Sequence, residues 1–150
     1  MPTSDLFALA YVSNAGQLSL QKIETILQSA QNFNRSVNVT GVLLYSNGNF
    51  LQYLEGDNAA LTTVYARIKN ASSHSKLNIL LNTAITQRNF ADWHMGYAQP
   101  TDSEMLALST SRWQLFQYNK SKASNLSDGL QLLINFWSVA SSQTIPIKTS

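Results

Sequence analysis

The chain has 150 residues, a formal net charge of +2, and 44% hydrophobic against 12% charged residues. This length and balance suit a single domain with a real hydrophobic core and exclude a disordered chain. The absence of cysteine and the presence of only two histidines exclude disulfides, thiolate catalysis and a histidine-rich metal site, so we expect no bound metal. The ten Lys and Arg residues are scattered, which argues against a nucleic-acid-binding stripe.

The first residues, MPTSDLFALAYVSN, lack the basic region and the long apolar core of a signal peptide. No apolar run approaches the roughly 20 residues that span a bilayer. We therefore expect a cytoplasmic protein without a membrane partner.

The first half of the chain predicts a strand, a helix and a hairpin. Residues 6–13 form a short apolar run typical of a strand buried on both faces. Ser19 is a candidate N-cap for a helix that ends near Phe33 or Asn34. The segments 39–46 and 49–56 flank Asn47-Gly48, a turn pair in which both residues favour positive φ, and they predict a β-hairpin.

The next segments complete a recognisable order of elements. Asp57 or Asn58 caps a second amphipathic helix, residues 77–86 predict a strand, and residues 93–97 predict a further short strand. The order β-α-β-β-α-β plus one added strand predicts an α+β, ferredoxin-like fold, with an antiparallel sheet and two helices on one of its faces.

A C-terminal helical extension is expected beyond the sheet. Thr101 and Glu104 have the spacing of a capping box, and they open a helix with Met105, Leu106 and Leu108. SRWQLFQY either extends this helix or forms a separate turn, and residues 119–128 suit a loop. The segment LSDGLQLLINFWSVA predicts a helix that is apolar around much of its circumference, so it must pack on the sheet, on its neighbour or at an oligomer interface.

Gln52 is out of place in the strand FLQYLEG. Strand residues alternate faces, so Gln52 shares its face with Phe50 and Leu54, and a buried amide without partners costs on the order of 1–3 kcal/mol. In a ferredoxin-like sheet the first and third strands are neighbours, which brings Tyr11 beside Gln52 and lets Asn34 face both from the helix layer. The pair either satisfies two buried groups and does nothing more, or binds a ligand.

The residues around this polar cluster predict an apolar slot. Ile26, Ala30 and Phe33 on the first helix, together with Phe50, would accommodate a flat aromatic ligand whose edge meets the polar groups. His74 is either a cap of the second helix or a ligand contact. No P-loop, GxSxG or HExxH motif is present, and we do not expect an enzyme.

The sequence resembles the BLUF family, blue-light sensors with a non-covalently bound flavin. The matching segments are LFALAYVS, NRSVNVTGVLLYSNGNFLQYLEG, ARI, His74 and QRNFADWHMGY, in order over residues 6–97. The resemblance implies a photosensory domain over residues 6–97, with FAD or FMN bound, and a C-terminal helical extension over residues 98–150.

The resemblance also implies a mechanism. Tyr11 would reduce the photoexcited flavin, and Gln52 would lie between its phenol and the flavin. Electron and proton transfer would leave the glutamine rearranged, so that the flavin absorption shifts to the red and reverts in the dark.

The other matched residues receive roles by the same resemblance. Asn34 would bind the pyrimidine edge of the flavin, Ile26 and Phe50 would flank the ring, and His74 would pack against it. Arg67 is counted with the flavin-binding residues, and Phe33 stacks where members often carry Asn or His. Trp93 and Met95 would relay the change to the tail. The family's acid and arginine before the histidine are replaced here by the segment Ala71-Ser72-Ser73.

Two alternatives stay open at this point: a flavin-binding oxidoreductase and a ligand-free interaction module of ferredoxin-like fold. No nicotinamide site or substrate base supports the first, and protein that stays colourless after flavin addition would favour the second. Because no effector domain is recognisable, we expect output through protein contacts. The expected contacts are a homo-oligomer and an unidentified downstream protein, with no nucleic acid and no membrane.

Overall fold

A computed structural model describes residues 6–70, 75–113 and 127–143. The elements are β1 Leu6–Asn14, α1 Leu20–Ser36, β2 Thr40–Ser46, β3 Asn49–Asp57, α2 Asn58–Lys69, β4 Ser75–Ala84, β5 Gly96–Ala98, α3 Asp102–Thr110 and α4 Asp128–Gln143. Within these ranges five strands form one sheet in the order β4-β1-β3-β2-β5, in which only β5 pairs in parallel, with β2. The prediction of a ferredoxin-like order with one added strand is therefore confirmed.

The helix starts follow from their capping residues. Ser19 accepts from the Lys22 amide, Asp57 accepts from the Ala60 amide, and the expected capping box of α3 is complete. Helix α1 runs beyond the predicted end at Asn34 to Ser36. It stops where Asn38 adopts a left-handed φ of 58°, which the helix cannot continue through.

The hairpin between β2 and β3 sets the pairing of the sheet centre. Asn47 and Gly48 have φ values of 49° and 87°, as their residue types predict. The resulting register pairs Leu43 with Gln52 and Leu44 with Leu51. Successive residues of β3 lie on opposite faces of the sheet, so Phe50, Gln52 and Leu54 share one face and Leu51 and Tyr53 share the other.

Two hydrophobic clusters cover the two faces of the sheet. Helices α1 and α2 pack on the face that carries Phe50 and Leu54, which confirms two helices on one side. The described parts of α3 and α4 pack on the opposite face, against Leu51 and Tyr53. The helix predicted through Met105, Leu106 and Leu108 is present as α3, in which Met105 and Leu108 are buried and Leu106 is 64% exposed.

The last strand differs from its prediction. It covers only Gly96–Ala98 rather than residues 93–97, and its parallel pairing with β2 makes the sheet mixed rather than antiparallel. The carbonyl groups of the three preceding residues are bound elsewhere, by the Gly41 amide and by two side chains of α1, which keeps these residues out of the ladder.

Some predicted features lie outside the described residues: His74, the Ala71–Ser73 segment, SRWQLFQY beyond Trp113, the loop up to residue 126, and Leu126. Within the described ranges, no helix combines the length and apolar character that crossing a bilayer requires.

Candidate functional site

Tyr11 and Gln52 face each other at the centre of the sheet. They are register partners on the antiparallel strands β1 and β3, and the Tyr11 hydroxyl donates to Gln52 Oε1. Tyr11 is fully buried and Gln52 is 4% exposed. The amide in the apolar strand therefore has the phenol as its partner, on the face covered by α1 and α2.

The other end of the Gln52 amide contacts the segment before β5. Gln52 Nε2 donates to the sulfur of Met95 at 3.4 Å, and Met95 is fully buried. A thioether sulfur is a weak acceptor, so this contact is easier to exchange than an amide–carbonyl bond. Gln52 thus has one firm partner and one weak partner.

A cavity of about 330 Å³ opens beside Gln52, between the two helices and the sheet. Such a volume is at the lower end of the range typical of small-molecule sites, about 300–1,000 Å³. Its walls are mostly aliphatic, and its polar groups come from a few side chains. The lining residues are Thr25, Ile26, Ser29, Ala30, Asn34, Leu43, Gln52, Val64, Arg67 and Ile68.

Two polar side chains near the end of α1 hold the segment that contains Met95. Gln31 Nε2 donates to the Met95 carbonyl at 3.1 Å, and Asn34 Nδ2 donates to the His94 carbonyl at 3.0 Å. His94 Nδ1 lies 3.1 Å from the Val39 carbonyl, which accepts its proton. Because Asn34 donates through its nitrogen, its side-chain oxygen is suited to accept from a ring N–H in the cavity that it lines.

Arg67 bridges the two helices at the exposed side of the cavity. Its guanidinium donates to Ser29 Oγ at 2.7 Å and lies 4.7 Å above the centroid of the Phe33 ring. Phe33 therefore packs on Arg67 at the rim and is not among the lining residues of the cavity.

Burial controls the chemistry of the phenol at this site. Desolvation, with a smaller contribution from Tyr65, raises the pKa of Tyr11 well above its ordinary value. The Tyr65 ring lies edge-on at 6.2 Å. Tyr11 is therefore a neutral hydroxyl at physiological pH, with its proton already directed at Gln52 Oε1.

A second polar cluster lies on the other face of β3. Glu55 is fully buried, and its carboxylate accepts from Tyr53, Thr40 and the backbone amides of Asn89 and Phe90, at 2.5–3.2 Å. Glu55 alternates with Leu51 and Tyr53 along β3, so the strand period places its side chain on this buried face.

The expected site residues separate into three groups. Tyr11 contacts Gln52, and five of the expected residues line or adjoin the cavity: Ile26, Phe33, Asn34, Gln52 and Arg67. Phe50 packs on Tyr45 and lines a larger cavity of about 590 Å³, which includes neither Tyr11 nor Gln52. Trp93 precedes β5 and packs on Trp137 of α4.

Leu43, Val64 and Gln31 are site residues that sequence reasoning missed. Leu43 and Val64 line the cavity, but their sequence pattern does not distinguish them from other core residues. Gln31 donates to a backbone carbonyl, and because every residue has one, the sequence does not indicate this partner. Among the described residues, no group of His, Asp and Glu side chains is arranged to hold a metal ion.

Comparison with known proteins identifies the family to which this chain belongs. The model of the BLUF family, described as "Sensors of blue-light using FAD", matches residues 6–96. The photoactivated adenylate cyclase subunit beta of Euglena gracilis is 30% identical over 105 residues, 70% of this chain and 12% of that protein. Its counterpart in Euglena longa is 33% identical over 69% of this chain. The chain thus spans only about an eighth of the length of these curated relatives.

Solved structures agree with this result. BlsA in its photo-activated state has a TM-score of 0.63 and 27% identity, over 76% of this chain and 88% of that one. The dark-state structure of BlrB, a BLUF protein, has a TM-score of 0.66 over 93% of this chain and 98% of that one, and at 24% identity it supports the fold alone. A cavity with an apolar wall and a polar edge at Gln52 and Asn34 fits a flat ring system such as that of FAD. The chain belongs to the BLUF family of blue-light sensors that use FAD.

Proposed function

We propose that Tyr11 and Gln52 are the photoswitch of this blue-light sensor, and that the cavity beside Gln52 holds the flavin ring. The single observation that carries this proposal is the buried hydrogen bond from the Tyr11 hydroxyl to Gln52 Oε1, at the wall of that cavity. Among the described residues, no other buried tyrosine donates to a side chain that lines this cavity.

The chain's own residues supply the path of the proton and exclude water from it. Bound FAD supplies the blue-light absorption and, when excited, an acceptor for one electron. Tyr11 is placed to lose an electron and to release its proton to Gln52 Oε1 along an existing hydrogen bond. Gln52 would accept this proton at Oε1 and give up one from Nε2 to the cofactor, and the electron and a proton would then return to Tyr11, which leaves Gln52 rotated or in its other tautomer. Burial of the pair keeps water from replacing either partner.

Residues along the cavity bind and orient the cofactor. Asn34 supplies an amide edge, Ile26 supplies an apolar wall, and Arg67 supplies a cation at the rim. We assign supporting roles to Phe50, which is buried in the cluster under α1 and α2, and to Phe33, which packs on Arg67 at the rim. His74 is included by resemblance to the family and awaits a test by substitution.

The change at the switch is transmitted to the rest of the protein by residues 93–95, the segment before β5. Met95 contacts Gln52 directly, and Trp93 lies two residues earlier on the side of α4. We propose that residues 6–97 sense light and that residues 98–150 carry the response. This response is a change in protein contacts, either self-association or binding of a downstream protein in the cytoplasm, with no substrate turned over.

A spectroscopic experiment tests the photoswitch. Protein loaded with FAD is illuminated with blue light, and its absorption is recorded before, during and after illumination. We expect a small red shift that reverts in the dark. Gln52→Leu and Tyr11→Phe should bind flavin and lose the shift, because the first removes the amide and the second removes the donor hydroxyl.

Tyr53→Phe is the matched control. Tyr53 is also a buried phenol with a raised pKa and a side-chain hydrogen bond, but it lies on the opposite face of β3. This variant should keep the red shift. A normal shift in Gln52→Leu would contradict the mechanism. Flavin that bleaches with a reductant and turns over would favour an oxidoreductase, and protein that binds no flavin would favour an interaction module.

A further inference from the structure

Two tryptophans packed on the second face of the sheet differ in how their indole N–H groups are satisfied. Trp113 donates to the Leu108 carbonyl at 2.8 Å. Trp137 is only 6% exposed, yet within the part of the chain that the structure describes its Nε1–H has no hydrogen-bond partner. An unpaired buried donor is unfavourable, so any rearrangement that gives this N–H an acceptor would gain free energy.

Trp137 sits directly over the segment that contacts the switch. A Cβ on Gly96 would lie 2.6 Å from the Cζ2 and Cη2 atoms of Trp137, so only a glycine leaves room for the indole. The Trp93 ring meets Trp137 edge-on at 5.3 Å. Two residues of this segment, Trp93 and Gly96, therefore contact the Trp137 ring, and Met95 lies between them in the sequence.

Met95 and Gly96 connect the two faces of the sheet. Met95 belongs to the cluster under α1 and α2, where Gln52 donates to its sulfur. The next residue, Gly96, contacts Trp137 of the opposite cluster. Met95 and Gly96 are adjacent in the chain and contact opposite clusters, so a displacement of the Met95 backbone moves Gly96 directly, without an intermediate side chain.

We propose that Trp137 is the positioning residue through which the switch acts on α4, an inference that rests on the proposed function. In the structure the indole is held over Gly96 with its N–H unpaired. When Gln52 turns and its Nε2 leaves the Met95 sulfur, the segment 93–96 shifts, and Trp137 reorients so that its N–H gains an acceptor. The second half of α4, which carries Trp137, moves with it.

Trp113 shows which part of the tail stays fixed. Its ring fills the space over Gly129 at the start of α4, and the Gly129 amide donates to the Arg112 carbonyl at 2.7 Å. The beginning of α4 is thus fastened to the end of the α3 segment, and the response concentrates in the turns around Trp137.

The first test observes the indole groups of FAD-loaded protein by ¹H–¹⁵N NMR in the dark and under blue light. The sequence has three tryptophans, assigned by single Trp→Phe variants. We expect the Trp137 indole proton to move downfield in the light and the Trp113 proton to stay in place. A Trp137 resonance that is identical in both states, in a sample whose flavin does shift, overturns this inference alone.

The second test compares amide hydrogen exchange in light and dark for the Trp137→Phe variant, with Trp113→Phe as its matched control. Trp137→Phe should keep the flavin red shift and lose the light-dependent exchange difference in the second half of α4, while Trp113→Phe keeps both. An unchanged exchange difference in Trp137→Phe overturns the inference. A wild-type protein without any red shift overturns the proposed function, and this inference with it.

Discussion

The side-chain amide of Gln52 donates to the Met95 sulfur across 3.4 Å, and both side chains are buried. The same amide accepts from Tyr11, so one side chain joins the phenol to the segment before β5. Under the proposed mechanism, any turn of the amide that moves Nε2 also releases Met95. The light-driven change at Tyr11 and Gln52 would therefore reach the segment before β5 through a single hydrogen bond, the one from Gln52 to Met95.

Replacing Met95 with Leu tests this contact. The exchange keeps the buried volume and costs less than about 1.5 kcal/mol of stability. Tyr11 and Gln52 are untouched, so the red shift should remain. The dark arrangement loses one weak bond worth on the order of 1 kcal/mol or less, so dark recovery should slow, by at most about fivefold. Absorbance decay after illumination measures the rate, and an unchanged rate would show that the sulfur contact plays no part in recovery.

The pairing of Tyr11 with Gln52 was predictable because two rules converge on it. Alternation along FLQYLEG places Gln52 on a buried face, and the order of elements makes β1 and β3 neighbours. Both rules depend on residue type and spacing alone. The cavity beside them follows from the same helix spacing that brings Ile26 and Ala30 to the sheet.

Contacts to backbone carbonyls were not predictable. Gln31 binds the Met95 carbonyl and Asn34 binds the His94 carbonyl, at sequence separations of 64 and 60 residues. A carbonyl is present at every position and carries no sequence signal. The short β5 was overestimated for the same reason, since its preceding carbonyls are taken by side chains and by the Gly41 amide.

The buried phenols predict a loss of stability at high pH. Burial raises the pKa of Tyr11 and Tyr53 above the ordinary value of 10.0, so folding favours the neutral form. The resulting stability is complete below about pH 10 and is lost above it, as the unfolded phenols ionise. Between about pH 10 and 11, Tyr11→Phe should lose about 1 kcal/mol less of its free energy of unfolding than the wild type.

Urea denaturation at about pH 9, 10 and 11 measures this difference. Tyr53→Phe should show a similar effect, and the double variant should show roughly the sum, because the two phenols lie on opposite faces of the sheet. Equal losses in the wild type and both single variants would mean that neither phenol is desolvated in the folded protein.

Glu55 should be important for stability although it lies away from the flavin site. Its carboxylate satisfies the amides of Asn89 and Phe90 and the Tyr53 hydroxyl. Glu55→Ala leaves these donors unpaired, at about 1–3 kcal/mol for each one that stays buried. We therefore expect the free energy of unfolding to fall by at least about 3 kcal/mol. Urea denaturation at neutral pH measures the change.

Asp92→Ala provides the comparison for Glu55→Ala. Asp92 is an exposed acid in the same loop region. Its removal should change the free energy of unfolding by no more than about 0.5 kcal/mol, as is usual for surface positions. Similar effects of the two substitutions would show that the carboxylate of Glu55 does not anchor the segment 89–90.

Gly41 should tolerate no side chain. Its φ is 156°, its amide donates to the Trp93 carbonyl at 2.8 Å, and a Cβ would overlap the Tyr53 carbonyl oxygen. Gly41→Ala must therefore separate β2 from β3 or abandon the bond to Trp93, and we expect a loss of more than about 4 kcal/mol, enough to prevent folding. Gly16→Ala is the control, because φ there is 70° but no atom lies within 4 Å of the added Cβ. It should cost only about 1–2 kcal/mol in denaturation experiments, from backbone strain alone.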